Sequence, residues 1–405
     1  MTKKRVLAVC SFFPCPVDRG DPVRVTQFLR AAAAGAELTV FAVRRATTSG
    51  ADVAELARML PGVDIHVFAP SPDPFERWLG GRAGRAAREA LAGTPSWILR
   101  RYSAELASAL RRRSGQFDLV ISLGEAAGVY GDDVETRWHW DKVNVLTASS
   151  RAQLRAARGP ARLTGYARHV SARRLEARWC ARASSISVTS DDEATRLEHH
   201  LGRPPDLVLP STVDLPEQIT RRPRPGRLVC LGQFGYAPNR RGLRRFVDEA
   251  WPPLAAADWT LRIAGANLPT ADRARYAATP GCAVLGYVDD IGAELAACQA
   301  AVVPLWEGAG MKMKTLTLMA HGVPVFGTGP AFEGIPGAGT AYWAGQTALD
   351  VAQDLLAASG AELVRRGEAG RTLVRDRFSF AAFRDQVTAL VNGAAPAVER
   401  SAPTA

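Results

Sequence analysis

"AAVVPLWEGAGMKMKTLTLMAHGVPVFGT", residues 300–328, decides the fold. Two short apolar runs, "AAVVPL" (300–305) and "VPVFGT" (323–328), flank a helix-length segment that begins near Met311. Strands joined through a helix run parallel, because a parallel pair needs a crossover connection. Between the first strand and the helix, Gly308 and Gly310 let the backbone turn sharply and approach a ligand without a Cβ in the way. Lys312 and Lys314 stand at the mouth of that turn. The chain writes nearly all its basic residues as arginine, and its lysines are Lys3, Lys4, Lys142, Lys312 and Lys314. An anion at this helix start gains the dipole, the free N–H groups and an ammonium together, and a diphosphate fits that description. The bland reading is solvated charge on a glycine-capped turn. Two residues apart on a helix, the lysines point about 200° from one another, so one of them faces the ligand.

The same grammar extends outward in both directions. Upstream come "RVLAVC" (5–10), "LTVFAV" (38–43), "VDIHVF" (63–68), "FDLVISL" (117–123), "VNVLTA" (143–148) and "SISVTS" (185–190), then "RLVCLG" (227–232), "WTLRIAG" (259–265) and "CAVLGY" (282–287). Continuous apolar strands separated by helices indicate parallel sheets covered on both faces. Two series mean two doubly wound α/β domains, and 405 residues suit two cores better than one. The proline-rich stretch 203–226 marks the seam, giving domains over 1–205 and 206–378. "SFAAFRDQVTALVNGA" (379–394) reads as a last helix with Ser379 as cap, and 395–405 as a disordered tail. Ligands of such sheets bind at the carboxyl ends of the strands.

Charge and cysteines narrow the class. The six cysteines show neither a CxxC pair nor a zinc spacing, and they sit in apolar runs as buried free thiols do. The N-terminus starts basic and then apolar, but the run is short and ends in prolines and charge, so it reads as a first buried strand and not a leader. With no apolar run near membrane-spanning length, a cytoplasmic protein is expected. The histidines are scattered: His199 and His200 read as solvent-facing, His321 as packing. The Asp pairs at 132–133, 191–192 and 289–290 read as helix-start acids, so neither metal nor cofactor is expected. The net charge of +11 is concentrated: nine arginines lie within 77–113 and nine within 151–182, where Glu176 is the only acid. That surface suits an acidic, phosphorylated or lipid-linked partner, or peripheral contact with the inner face of a membrane. Solvated helix charge is the competing reading; no nucleic-acid motif accompanies it.

"GQFGYAPNRRG" (232–242), "LRIAGANLP" (261–269), "VLGYVDDIGAEL" (284–295), "VVPLWEGAGMKMKTL" (302–316), "GVPVFGT" (322–328) and "EGI" (333–335) together resemble the donor-binding domain of GT-B glycosyltransferases, in particular retaining glycosyltransferase family 4. The order and spacing match over about 110 residues. "RDRFSFAAFRDQV" (375–387) is similar to the family's closing helix, which crosses back onto the first domain, and, more weakly, "FFPCPVDRGDPVRVTQFLRAAA" (12–33) is similar to the family's first loop. The resemblance implies two Rossmann-like domains facing a cleft, and transfer of a sugar from a nucleotide diphosphate sugar to an acceptor hydroxyl with retention of configuration. It implies catalytic roles for Lys312, Arg241 and Glu307. Donor contacts carry over to Gly20, Arg24, Gly232, Asn239, Arg240, Gly308, Gly310, Met311, Lys314, Thr317 and Glu333, with Asn239 also a candidate helix cap. Arg240 and Arg241 are both candidates for the second cation on the diphosphate. Glu125 is either an acceptor contact or an ordinary first-turn carboxylate.

Two departures stand out. Where relatives carry a ribose-binding glutamate this chain has Thr317, and nine residues separate it from Glu307 where seven is usual. Near "FDLVISLGEAAG" a histidine common in relatives is missing. The alternatives implied are a GT-B relative that binds a sugar nucleotide or a partner without turnover, and, less well supported, a sugar nucleotide epimerase.

Overall fold

The computed structural model describes residues 3–17, 20–72, 94–159, 161–308, 310–337 and 339–393. The expected tail 395–405, Pro160 and the arginines at 77, 82, 85 and 88 lie outside these residues. Two compact units form: residues 1–210 with 383–405, and residues 211–382.

In the first unit, β1 (Lys4–Cys10), β2 (Ala36–Val43), β3 (Asp64–Phe68), β4 (Leu119–Leu123), β5 (Trp138–Asp141), β6 (Ser185–Val188) and β7 (Leu207–Val208) make one sheet in the order β3-β2-β1-β4-β5-β6-β7. Every pairing is parallel. The N-terminal run is thus an interior strand between β2 and β4, with Val6, Leu7, Val9 and Cys10 wholly buried. The last helix, Phe380–Asn392, contributes Phe383, whose ring meets Phe28 edge-on at 5.7 Å. Ser379 Oγ accepts the Ala382 N–H and starts that helix as a serine cap does.

The second unit repeats the plan with β8 (Arg224–Leu231), β9 (Thr260–Ala264), β10 (Cys282–Gly286), β11 (Cys298–Val303), β12 (Val325–Thr328) and β13 (Trp343–Gly345), ordered β10-β9-β8-β11-β12-β13 and parallel throughout. Along β8 and β11 successive side chains go to opposite cores: Val229, Leu231, Ala301 and Val303 to one, Leu228, Cys230, Ala300 and Val302 to the other. This explains why both strands read as unbroken apolar runs. The helix Ala237–Glu249 buries Gly242, Leu243, Phe246 and Val247 and turns its arginines outward. At Gly242 a Cβ would meet the Pro304 carbonyl oxygen at 1.8 Å, so only glycine lets this helix lie against the chain leaving β11.

Several expectations need correction. "VNVLTA" is not a strand: the helix Leu146–Ala156 begins inside it, because a carboxylate 30 residues away caps that helix start. The strand there is "WHWD" (138–141), whose polar residues hide its character. The helix expected from Met311 is Met313–Ala320, with Lys312 in the cap position. Asn239 caps nothing: the cap residue is Tyr236, and Pro238 occupies the first turn. Asp132 and Asp133 close the 3-10 helix Glu125–Asp133 instead of opening a helix, held there by Arg178 on Asp132 at 3.0 Å and by Arg111 on Asp133.

Candidate functional site

The strand order reverses direction between β8 and β11, which are neighbours in the sheet, and the chain leaves their carboxyl ends toward opposite faces. Such a switch point opens a crevice for ligands in doubly wound sheets. Two loops meet here: Gly232–Tyr236 after β8, leading into Ala237–Glu249, and Pro304–Lys312 after β11, leading into Met313–Ala320.

The second loop turns through Gly308 (φ +114°) and Gly310 (φ +79°), conformations that L side chains rarely adopt. The turn wraps its carbonyls around Lys312 Nζ, which donates to Gly308 O at 3.2 Å and to Gly310 O, and sits 3.4 Å from Glu333 Oε2. Lys312 and Glu333 keep 11% and 17% of their side-chain exposure, so the ammonium is held in place yet reachable. Met311 packs against the core beneath.

Lys314 takes the other direction. Its Nζ donates to Asn239 Oδ1 at 2.9 Å, and Asn239 Nδ2 donates to Gln233 O at 2.8 Å, so the pair ties the two loops together. Burial, with the like charge of Lys312 adding to it, pushes the Lys314 amine down to about 8. A lysine charged to about 10.5 in the unfolded chain but only to about 8 in the fold costs stability at neutral pH, and the cost fades as pH rises through that window. Urea denaturation of wild type against Lys314→Met should therefore move in the wild type's favour between pH 7 and pH 10; a difference independent of pH would show that Lys314 titrates normally.

Of the two candidate arginines, Arg240 folds back to donate to Phe234 O and Gly235 O, both at 3.0 Å. Arg241 is the one that reaches across, pairing with Glu307 of the second loop. That hydrogen bond raises the Arg241 guanidinium and lowers the Glu307 carboxyl, and both side chains are half exposed or more. Gly232 is packed under Phe234, whose ring atoms a Cβ would approach to 2.9 Å, so its role is to seat the loop. Thr317 donates its hydroxyl to Met313 O at 3.0 Å, spending its one proton on its own helix.

The residues carried over to the first unit lie apart from this cluster in sequence and are built differently. Gly20 opens the helix Gly20–Gly35, and a Cβ there would meet nothing within 4 Å. Arg24, one turn on, is buried and bidentate on Asp141, Nη2 to Oδ1 at 2.6 Å and Nε to Oδ2 at 3.0 Å, with Nη1 buried and without a hydrogen-bond partner. Ser187 Oγ donates to the same Oδ1. A polar strand, "WHWD", hid Asp141 from sequence reasoning; an arginine on the first helix was the only signal that a buried acid must exist. Glu125 follows Gly124 (φ +85°) at the carboxyl end of β4, and its Oε1 accepts the Asn144 N–H at 2.5 Å and Asn144 Nδ2 at 3.1 Å. Burial raises its carboxyl, against the pull of Lys142.

Two parallel-sheet units of Rossmann strand order, with the last helix packed on the first unit and a lysine-bearing glycine turn at the switch point of the second, define the GT-B fold. Residues 225–358 match the family model described as Glycosyl transferases group 1. Among solved structures, the chain is similar to HepE of Anabaena in complex with UDP-glucose (TM-score 0.62, 14% identity, covering 96% of this chain and 100% of that one). It is also similar to a glycosyltransferase from Rickettsia africae (0.62, 12%, 97% and 99%). A third is WaaG, a glycosyltransferase involved in lipopolysaccharide biosynthesis (0.59, 15%, 96% and 100%). No curated protein is similar enough in sequence to match.

Proposed function

We propose that the protein is a hexosyltransferase of the retaining family 4 kind, moving a sugar from a nucleoside diphosphate sugar to an acceptor hydroxyl. The observation that carries this is the convergence at the β8/β11 switch point of Lys312, held by the glycine turn, with the Arg241–Glu307 pair. As the bond from the anomeric carbon to the diphosphate breaks, negative charge grows on the departing phosphate oxygen. An ammonium already fixed in the turn stabilises that charge without reorganising, and Arg241 supplies a second cation once drawn from Glu307. Cationic side chains take the place of a metal in this reading, and the leaving phosphate itself serves as base on the face where the acceptor attacks. UDP-glucose, bound by HepE, is the first donor to try.

The acceptor belongs to the first unit, whose basic helix Ala161–Arg182 also exposes Leu163 and Tyr166, at 78% and 62%. Basic charge beside exposed apolar side chains supports an acidic or lipid-linked acceptor and peripheral contact with the cytoplasmic face of a membrane. Among the described residues no helix is long and apolar enough to cross one. One observation favours a second reading, a sugar-nucleotide-binding relative without turnover: the Thr317 proton is committed to Met313 O, so the side chain offers the ribose one neutral acceptor oxygen where a carboxylate offers two charged ones.

A thermal-shift screen of UDP, GDP, ADP and dTDP with their common sugar conjugates, run with and without EDTA, separates the two. One nucleotide diphosphate should raise the melting temperature equally in both conditions, and its sugar conjugate should be consumed when acceptors are supplied. Binding without consumption favours the second reading; no stabilisation at millimolar ligand refutes both.

A further inference from the structure

The first unit holds a second concentration of chemistry, in a different unit from the Lys312 cluster and partly on the basic helix Ala161–Arg182. A cavity of about 280 Å³ lies among the helices Leu146–Ala156, Ala161–Arg182 and Asp191–Leu201 and is lined by Thr147, Arg151, His169, Arg173, His199 and His200. His199 and His200 read as solvent-facing in the sequence, but His200 is half-buried here and the two rings stand 4.9 Å apart.

The walls carry two arginines and three histidines and no carboxylate. The nearby acids are already engaged. Glu176 accepts from Lys142 Nζ, the Leu146 and Thr147 N–H groups and Thr147 Oγ1, and Glu193 accepts from the Val145 N–H and pairs with Arg196. Elsewhere in this unit Arg24, Arg111, Arg178 and Arg182 each have an aspartate. Among the described residues Arg151 and Arg173 have none. Ser150 Oγ lies 3.0 Å from both Thr147 O and His169 Nδ1. With the hydroxyl proton on the carbonyl, Nδ1 must be the protonated nitrogen of neutral His169, which leaves Nε2 as the atom that titrates.

We propose that this pocket is an oxyanion site for a phosphate or phosphomonoester group, gripped by Arg151 and Arg173 and by the histidines once protonated. Two guanidiniums supply forked donors suited to phosphate oxygens. The histidines make the grip depend on pH. Burial and then Arg151 and Arg173 lower His169; burial and then His199, Arg151 and His169 lower His200, with buried Glu176 the one opposing charge. An empty pocket therefore sheds protons, and a bound anion draws them back. Affinity rises as pH falls through the histidine range. The site stands whether or not a sugar nucleotide binds the second unit.

The test is histidine ring NMR on the full-length chain, with resonances assigned through single His→Gln variants. Sulfate is the probe for pH, because it does not itself titrate in this range; inorganic phosphate and glycerol phosphate probe the ligand class. Sulfate should shift the His169, His199 and His200 signals and raise the titration midpoints of His169 and His200, binding at least about tenfold tighter near pH 6 than near pH 8. Arg151→Gln/Arg173→Gln should weaken it by at least about tenfold, as loss of charge-assisted bonds does, with an unchanged melting temperature as the folding control. Should the double variant not fold, Arg173→Gln alone serves the same comparison. Lys312→Ala should leave the response intact, which separates this site from the proposed donor site. Preference for glycerol phosphate assigns the ligand to a soluble phosphomonoester; preference for phosphatidylcholine vesicles doped with phosphatidic acid assigns it to a lipid headgroup. Absent histidine shifts at millimolar sulfate and phosphate, shifts that persist without the arginines, or affinity indifferent to pH would each overturn the proposal.

Discussion

Lys312→Ala should lower kcat for sugar transfer by roughly two to three orders of magnitude, the range seen when a preorganised donor to a developing anion is removed. The ammonium is fixed by Gly308 O, Gly310 O and Glu333 before any ligand arrives, so the transition state loses a charge that required no rearrangement. Its removal also takes a positive charge from beside the Glu333 carboxylate, so the site becomes less attractive to a diphosphate. The loss should appear mainly in kcat, with diphosphate affinity weakened and nucleoside monophosphate affinity nearly untouched. Lys312→Arg should rescue poorly, because the pocket of carbonyls is shaped for a compact ammonium and not a planar fork. Steady-state kinetics on a folded Lys312→Ala protein decide it. Transfer at the wild-type rate would remove Lys312 from the mechanism.

Glu176→Ala should destabilise the first unit by about 3–5 kcal/mol, the cost of leaving a buried charge without its partner. Lys142 and Glu176 are both fully buried, with Nζ 2.5 Å from Oε1 and 3.7 Å above the Trp140 ring. Burial alone would raise the Glu176 carboxyl; the Lys142 charge and the bonds from Thr147 outweigh it, and the group titrates below its ordinary 4.5. Its contribution is therefore complete above pH 4.5 and is lost as pH falls through the lower folded value. Replacing both partners with apolar residues, Lys142→Met/Glu176→Leu, should recover part of the loss, though the Leu146 and Thr147 N–H groups remain uncapped. Urea unfolding followed by tryptophan fluorescence measures both. A loss below about 1 kcal/mol would mean that Lys142 finds another partner or that water enters.

These two sites show what one dimension of information can carry. Lys312 and its glycines were legible because they are contiguous: strand, turn and helix lie within 29 residues, and the chemistry of the turn is written in its own letters. Lys314 shares that stretch, yet its partner Asn239 lies 75 positions away, and only folding reveals that the lysine binds its own protein. Arg240 and Arg241 are adjacent and chemically identical, so their different fates, one on Phe234 O and one on Glu307, rest on which way each leaves the helix. The strands of both sheets were legible where burial on two faces makes them uniformly apolar. "WHWD" was not, since His139 satisfies Ser185 and Ser187 and Asp141 satisfies Arg24 inside the sheet, replacing the apolar signal with a polar one. Glu176 was visible as the lone acid of a basic segment, but its task, capping a helix read as a strand, was not.

The packing of Phe383 on Phe28 has a consequence for the order of synthesis. Residues 211–382 form a unit inserted between the two pieces of the first, so the domain that leaves the ribosome first is completed last. Until the final helix emerges, Phe28 and the face around Arg24 lack their cover, while the intervening unit already has every strand it needs. The second unit can therefore fold during translation before the first is finished, while the first, whose seven strands are all made by Val208, waits only for the helix that covers this face.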